Sequence, residues 1–216
     1  PSPSSSASPS ASPGGTSLVT IAAARVREGR RVIVEGTVTV DRSLLDASGR
    51  RTIVDDGTAA IELYLDGPDT SIRAGVRVRV TGEVGRAWGA PRLRVEAIRV
   101  VGRRQPLVHD LRVAPSAATE WRLVRVRGTI EDLHRSGERW TAELVSGGLR
   151  IPLVGLPGSG VTAAQVVEGR RATVTGIVKR PYPTATDQRF AVVPRGRGDL
   201  DLGAAPTSSG APGTAG

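Results

Sequence analysis

The residues of this chain that could do chemistry are mostly cations and a few aromatic rings. Cysteine is absent and only His109 and His134 could offer imidazole. Without thiolates there is no thiol nucleophile or thiolate metal site. The two histidines stand at no recurring metal-ligand spacing. Asp55 and Asp56 are adjacent carboxylates. Consecutive strand residues face opposite ways, and Asp56 precedes Gly57 in a turn pattern, so an acid and base pair is not expected there. G-x-S-x-G, P-loop and dinucleotide fingerprints are missing. The expectation is a non-catalytic chain with no cofactor and no metal, any catalytic domain of a parent protein lying outside it.

The cations carry more order. Thirty Lys and Arg stand against 21 acids, for a net charge of +9, and every cation except Lys179 is arginine. Residues 25–102 hold 14 Arg against 11 acids, and 103–202 hold 16 cations against 10 acids. Such an excess favours polyanionic partners, although an Arg-rich, Lys-poor composition also follows from a GC-rich genome. Guanidinium groups match phosphate geometry. Alternation sets Arg77 and Arg79 opposite Val76, Val78 and Val80, and does the same for Arg92 and Arg94 on the next strand, predicting one outward stripe of four. Arg125 and Arg127 extend a similar surface in the second half, with Arg171, Lys179, Arg180 and Arg189 nearby. The alternative for the first half is a solvated face, its arginines paired across strands with Glu35, Glu62, Glu83 and Glu96.

Aromatic rings are scarce: three Trp, two Tyr and one Phe. Tyr64 alternates with Leu63 and Leu65 and should stand outward. Trp88 falls six residues after Gly82 and Tyr182 six after Gly176, placing one ring in corresponding loops of both halves. There they would stack on bases or plug a barrel end. Trp140 and Phe190 are expected in the core, and Trp121 between the halves or beneath the next strand.

The elements that must position these groups read as strands. "VEGTV" at 34–38 and "VRGTI" at 126–130 are offset by 92, and Gly82 and Gly176 by 94, which suggests one unit of about 90 residues present twice. Apolar residues recur with period 2 in both units. In the first, "VIVEGTVTV" turns Val32, Val34, Gly36, Val38 and Val40 inward. "TIVDDGTAAIELYL" is a hairpin through Asp56-Gly57, "VRVRVTGEV" is the fourth strand, and "PRLRVEAIRV" closes with Leu93, Val95 and Ala97 inward. The second unit offers "LVRVRGTI", "RWTAELV", "GLRIPLV", "RRATVTGIV" and "QRFAVVP". There Leu149, Ile151 and Leu153 correspond to Ile61, Leu63 and Leu65. Pro152 predicts a frayed or edge position, and "GVTAAQVVEG" a short helix. Glycines inside strand patterns mark the bends that close a small barrel.

Five strands with a Gly-bearing first strand, the D-G-T-x-x-I-x-L-Y-L hairpin and the G-x-x-V-x-V-T-G fourth strand resemble the oligonucleotide/oligosaccharide-binding fold, or OB-fold. They are similar to the tandem modules of secreted bacterial multidomain proteins, among them extracellular nucleases and lamin-tail-domain proteins. The expected architecture is all-β: two tandem five-stranded OB-fold-like barrels with disordered termini. The divisions are a Pro/Ser/Ala-rich linker at 1–17, a first barrel at 18–102, an inter-domain linker at 103–118, a second barrel at 119–202 and a tail at 203–216. The resemblance implies a ligand site on the outer face of strands two and three and the adjoining loops.

Two functions stay open. One is a nucleic-acid-binding accessory module for single strands, acting through the outward arginines and the loops after strand four. The other is a structural or interaction module that spaces domains or binds protein or glycan. The Pro/Ser-rich entry and the resemblance imply an extracellular or cell-surface location. No apolar run is long enough to span a membrane as a helix, so membrane insertion is not expected.

Overall fold

The Val-rich alternation becomes two closed barrels in the computed structural model, which describes residues 17–203. The expected linker at 1–17 and tail at 203–216 lie outside the described residues, apart from Ser17 and Gly203. Both of these are tied to strands: Ser17 O accepts from Ile33 N at 3.4 Å, and Gly203 N donates to Arg171 O at 2.9 Å.

The first barrel consists of β1 (Arg31–Val38), β2 (Arg51–Asp55), β3 (Ala60–Tyr64), β4 (Val76–Ala87) and β5 (Ala90–Arg103), closed in the order β1-β2-β3-β5-β4. After β6 (His109–Asp110), the second consists of β7 (Leu123–Ser136), β8 (Arg139–Ser146), β9 (Leu149–Gly155), β10 (Arg171–Lys179) and β11 (Ala191–Val193). It closes through β10 and β7 in the matching order. β6 adds to β7, and β12 (Leu200–Leu202) to β10. Each barrel is antiparallel except where its third and fifth strands meet, the closure of an OB-fold.

The registers agree as well. Val32 faces Gly82 as Val124 faces Gly176, and Val34 faces Val80 as Val126 faces Val174. At Gly176 the crossing strand comes so close that a Cβ would meet Val193 O at 2.5 Å. Gly82 meets Arg94 O in the same manner, so only glycine lets the fourth strand bend under the fifth.

Inward side chains fill each barrel. Val34, Val78, Ile61, Leu63 and Leu93 pack in the first, and Val126, Val174, Leu144, Leu153 and Val192 around Trp140 in the second. Trp140 Nε1 donates to Val161 O at 2.8 Å, which satisfies the buried indole. A third apolar cluster lies between the barrels: Val40, Leu44, Ile53, Ala60 and Ala90 from the first meet Trp121, Leu123, Leu156, Ile177 and Val193 from the second.

Several sequence expectations change. Val40 belongs to this seam and not to the first core, because β1 ends at Val38 and the chain turns toward the second barrel. Ala97 is exposed and Ile98 packs inward, since a bulge between Thr81 and Gly82 shifts the β4–β5 register. β9 is no edge: it sits between β8 and β11, and Pro152 is tolerated where pairing with β11 shrinks to Val192 and Leu153. That pairing makes Leu153 the counterpart of Leu63, and Val192, not Phe190, the counterpart of Leu93. Phe190 is only partly buried against the core. In place of the helix expected over 160–169 there is a single 3-10 turn at Ala163–Gln165, a separate one preceding it at Pro157–Ser159.

Candidate ligand cleft on the second barrel

The outer face of β2 and β3 in the first barrel is covered. Ile53 and Ala60 point outward from these strands, are 0% exposed, and pack on Leu123, Ile177 and Val193. The loop after β1 joins them: Leu44 and Leu45 enter the same cluster, and Gly158 lies so close to the Ser43 carbonyl that no Cβ would fit. The first barrel therefore holds the second barrel with the surface on which an OB-fold holds its ligand.

The corresponding face of the second barrel is open. Thr141 on β8, Pro152 and Val154 on β9, and Ala191 on β11 floor a cleft of about 500 Å³. Asp132, His134 and Arg139 stand at one side; Lys179, Tyr182, Asp187 and Arg189 stand at the other. Arg189 chelates two acids, with Nη2 2.6 Å from Glu143 and 2.7 Å from Asp187. The hydrogen bonds to Asp187 and then Glu143 raise its pKa further. Arg139 makes no ion pair among the described residues.

Lys179 is the chemically unusual group. Burial, then the charge of Arg51 opposed by Glu62, lowers its ammonium from the ordinary value to about 8. Nζ donates to Arg180 O at 3.2 Å and lies 4.0 Å from the centroid of the Tyr182 ring. Its nearby carboxylates are otherwise engaged. Glu62, fully buried, accepts from Arg51 and from Arg92 at 3.0 Å. Glu120, also fully buried, accepts from Arg180 at 2.9 Å, with Arg25 at 3.7 Å. The Glu120 hydrogen bond raises Arg180.

Trp88 and Tyr182, expected in two separate loops, meet. Their rings form an edge-to-face pair with centroids 5.5 Å apart, and they stay 55% and 39% exposed. Trp88 (φ 50°) and Gly89 (φ 83°) form the tight turn that ends β4 and aims the indole across the seam. Neither ring plugs a barrel end. Trp121 is 2% exposed within the seam.

The expected stripe of four arginines divides. Arg77 and Arg79 hold Glu35 at 2.8 and 2.7 Å, and the hydrogen bond from Arg79 keeps that carboxyl below its usual range. Arg94 pairs in register with Glu83, four residues or about 13 Å along β4 from Arg79. Arg92 is drawn into the seam by Glu62, with Tyr64 sandwiched between Arg50 and Arg92 at 4.6 and 5.1 Å. Arg125 and Arg127 face Asp110 at 3.9 and 3.2 Å. Arg171 borders a separate depression with Arg127 and Asp201. Of the sequence candidates, the structure brings Lys179, Arg180, Tyr182 and Arg189 together at the cleft and Trp88 to its edge. Tyr64 and Arg92 lie behind the seam, and Arg77, Arg79, Arg94, Arg125, Arg127 and Arg171 lie elsewhere.

Sequence reading passed over Arg139, Glu143 and Asp187 in the cleft and Glu120 in the seam; Glu62 it named only as a cross-strand partner on a solvated face, and it is fully buried. One signal was present: Ile53 and Ala60 are apolar on a face that alternation turns outward, which marks a surface meant to be covered. Of the acids that hold Arg189, Asp187 is two residues away, while Glu143 comes from another strand and no local pattern names it.

No protein-family model and no curated protein sequence matches the chain. Among solved structures it is similar to the hypothetical protein ygiW from E. coli, at 21% identity and a TM-score of 0.33, over 39% of this chain and 90% of that one. A murine DNA-binding protein bound to double-stranded DNA matches at 10% identity and a TM-score of 0.40, over 82% and 98%. A putative aspartyl-tRNA synthetase from Leishmania major Friedlin matches at 14% identity and a TM-score of 0.33, over 44% of this chain and 22% of that enzyme's length.

Proposed function

We propose that the protein is a non-catalytic binding module whose second barrel takes a short stretch of single-stranded nucleic acid, while the first barrel buttresses it. The observation that carries this reading is the open cleft on β8, β9 and β11, where Tyr182 lies beside Arg139, Lys179 and Arg189. Single strands are held by rings that stack on bases and cations that follow the backbone. The two barrels contribute unequally, because the same face of the first is filled by Leu123, Ile177 and Val193.

Fluorescence anisotropy of labelled single-stranded DNA, RNA and duplex DNA across a salt series tests the proposal. Single strands should bind in preference to duplex. With about two phosphates neutralised, log K should fall with log salt at a slope of about −1.4. Tyr182→Ala and Arg139→Ala should each weaken binding about tenfold without lowering the unfolding midpoint, a single base stack contributing about 1–3 kcal/mol. Absence of binding near physiological salt by the folded chain would overturn it.

A second reading, a module that spaces domains or binds protein or glycan at a cell surface, is favoured by a different observation. The outward arginines of the first barrel are engaged by its own acids, Arg77 and Arg79 by Glu35 and Arg92 by Glu62. That surface supplies little uncompensated charge to a polyanion.

A further inference from the structure

The cleft ends at Lys179. On its far side Lys179, Arg180, Pro181 and Tyr182 also wall a second space, closed by Trp88, Trp121 and Ala90, whose volume is only about 20 Å³. That is room for roughly one water molecule, against about 500 Å³ in the cleft itself. A strand crossing the open face of the barrel therefore has no exit through the seam.

At this blind end the charges are out of balance. Five cations, Arg25, Arg51, Arg92, Lys179 and Arg180, face three carboxylates, Glu62, Glu120 and Asp46, the last 3.5 Å from Arg51. Glu62 and Glu120 are each already held by two guanidinium groups, and Asp46 by Arg51. Lys179 makes no ion pair among the described residues; its ammonium has one carbonyl acceptor and an aromatic face, which leaves donors for a ligand. Arg139, which adds to the positive field at Lys179, lines the same cleft. Lysine binds phosphate as a compact point charge.

We propose that the cleft receives the phosphorylated end of a nucleic-acid strand, its terminal phosphate monoester seated at the blind end on Lys179 and the adjacent base beside Tyr182. This rests on the reading of the cleft as a single-strand site. The space of about 20 Å³ behind Lys179 admits no second length of chain, which suits a terminal group, with chain leaving on one side, better than an internal phosphodiester. A monoester also brings up to two negative charges to a place with an excess of positive ones. The ammonium's depressed pKa, about 8, reflects the dehydration that such an anion would relieve.

The test compares one short oligonucleotide with a 5′-phosphate, a 3′-phosphate or hydroxyls at both ends, bound to the full chain. One phosphorylated form should bind about 10- to 100-fold tighter than the hydroxyl form, the range of a charge-assisted hydrogen bond, and which form it is fixes the polarity of the strand. Inorganic phosphate should compete against that form more strongly than against the hydroxyl form. In Lys179→Gln the ratio between the two should fall to within about twofold, whatever happens to absolute affinity, while Lys179→Arg should keep part of it. Equal binding of all three wild-type ligands would overturn end recognition and leave the single-strand reading standing. If no oligonucleotide binds, the single-strand reading fails, and phosphorus NMR with inorganic phosphate and a nucleoside monophosphate decides the rest. Lys179-dependent binding there would retain a phosphate-monoester site, and no binding would overturn it too.

Discussion

Lys179 shows how a side chain can oppose folding and still be suited to a ligand. Its folded-state pKa of about 8 lies below the ordinary 10.5, with burial the largest cause, so folding makes the ammonium costlier to keep than it is in the unfolded chain. The resulting penalty is complete below about pH 8 and disappears as the pH rises through the unfolded value of 10.5. A shift of this size corresponds to about 3 kcal/mol as an upper bound. Lys179→Met should therefore raise stability at pH 7 by about 1–3 kcal/mol, with the gain shrinking toward pH 10, as urea unfolding at both pH values would read. Asp55 behaves with the opposite sign. Its Oδ1 accepts from Gly57 N at 2.6 Å, while Oδ2 is buried without a hydrogen-bond partner, 3.9 Å from His109 Nε2. Burial raises its pKa, so its cost is absent below the ordinary carboxylate range, grows as the pH climbs through the raised value and is complete above it. Asp55→Asn keeps the acceptor for Gly57 and should stabilise by about 1 kcal/mol at pH 7, and by less at pH 4, in the same unfolding experiment. The sequence read Asp56 as a turn residue, and both carboxylates accept backbone hydrogen bonds in that turn, Asp55 from Gly57 and Asp56 from Thr58 and Ala59. The position of Asp55 beside His109 was not legible, because His109 reaches β2 only through the pairing of β6 with β7.

At the scale of the strands, alternation was a sufficient guide wherever a strand has one buried face. β4 is the plainest case: Val76, Val78 and Val80 are buried, and Arg77 between them is exposed. Alternation failed where the backbone inserts a residue, since the bulge at Thr81 and Gly82 exchanges Ala97 for Ile98, and period 2 has no means of announcing a shift in period. It also failed where both faces are buried. All five residues of β2 are buried, but their pattern reads like that of a strand with one wet side. The glycines within strands were legible as bends, and their cause is contact. A Cβ on Gly176 would lie 2.5 Å from Val193 O and 2.8 Å from Val192 Cγ1, and the first of these atoms is backbone of the adjoining strand. Gly176→Ala should consequently cost about 2–3 kcal/mol, as overpacking of a fitted core does, and amide exchange should quicken in β10 and β11 before it quickens in the first barrel. An unchanged unfolding midpoint would show that the two strands separate at little cost and that glycine is not required by the crossing.

For the whole molecule the consequence is that two barrels of one topology have taken unequal parts. The first turns the face of β2 and β3, the loop after β1 and the turn at Trp88 toward its neighbour; the second keeps its own face clear. The larger cation excess of residues 103–202 marked the second half as the more basic, but which barrel is covered depends on the outward Ile53 and Ala60 of the first, where the second has Thr141 and Pro152. Trp121 tests this arrangement, being part of neither barrel's core and 2% exposed in the seam. Trp121→Ala should cost about 3–5 kcal/mol, and the loss should fall on docking, so that one unfolding transition becomes two. Gly158→Ala approaches the seam from its other side, where the new methyl would meet the Ser43 carbonyl and stand 2.9 Å from Leu44 Cα. Because both replacements pry the barrels apart and leave Lys179, Arg139 and Arg189 in place, they separate the charge of the cleft from its closure. A cleft whose selectivity comes from charge alone would keep its preference for a phosphorylated end in both variants. A cleft made blind by the seam should lose that preference while still binding single strands, since an opened seam gives the chain a second way out.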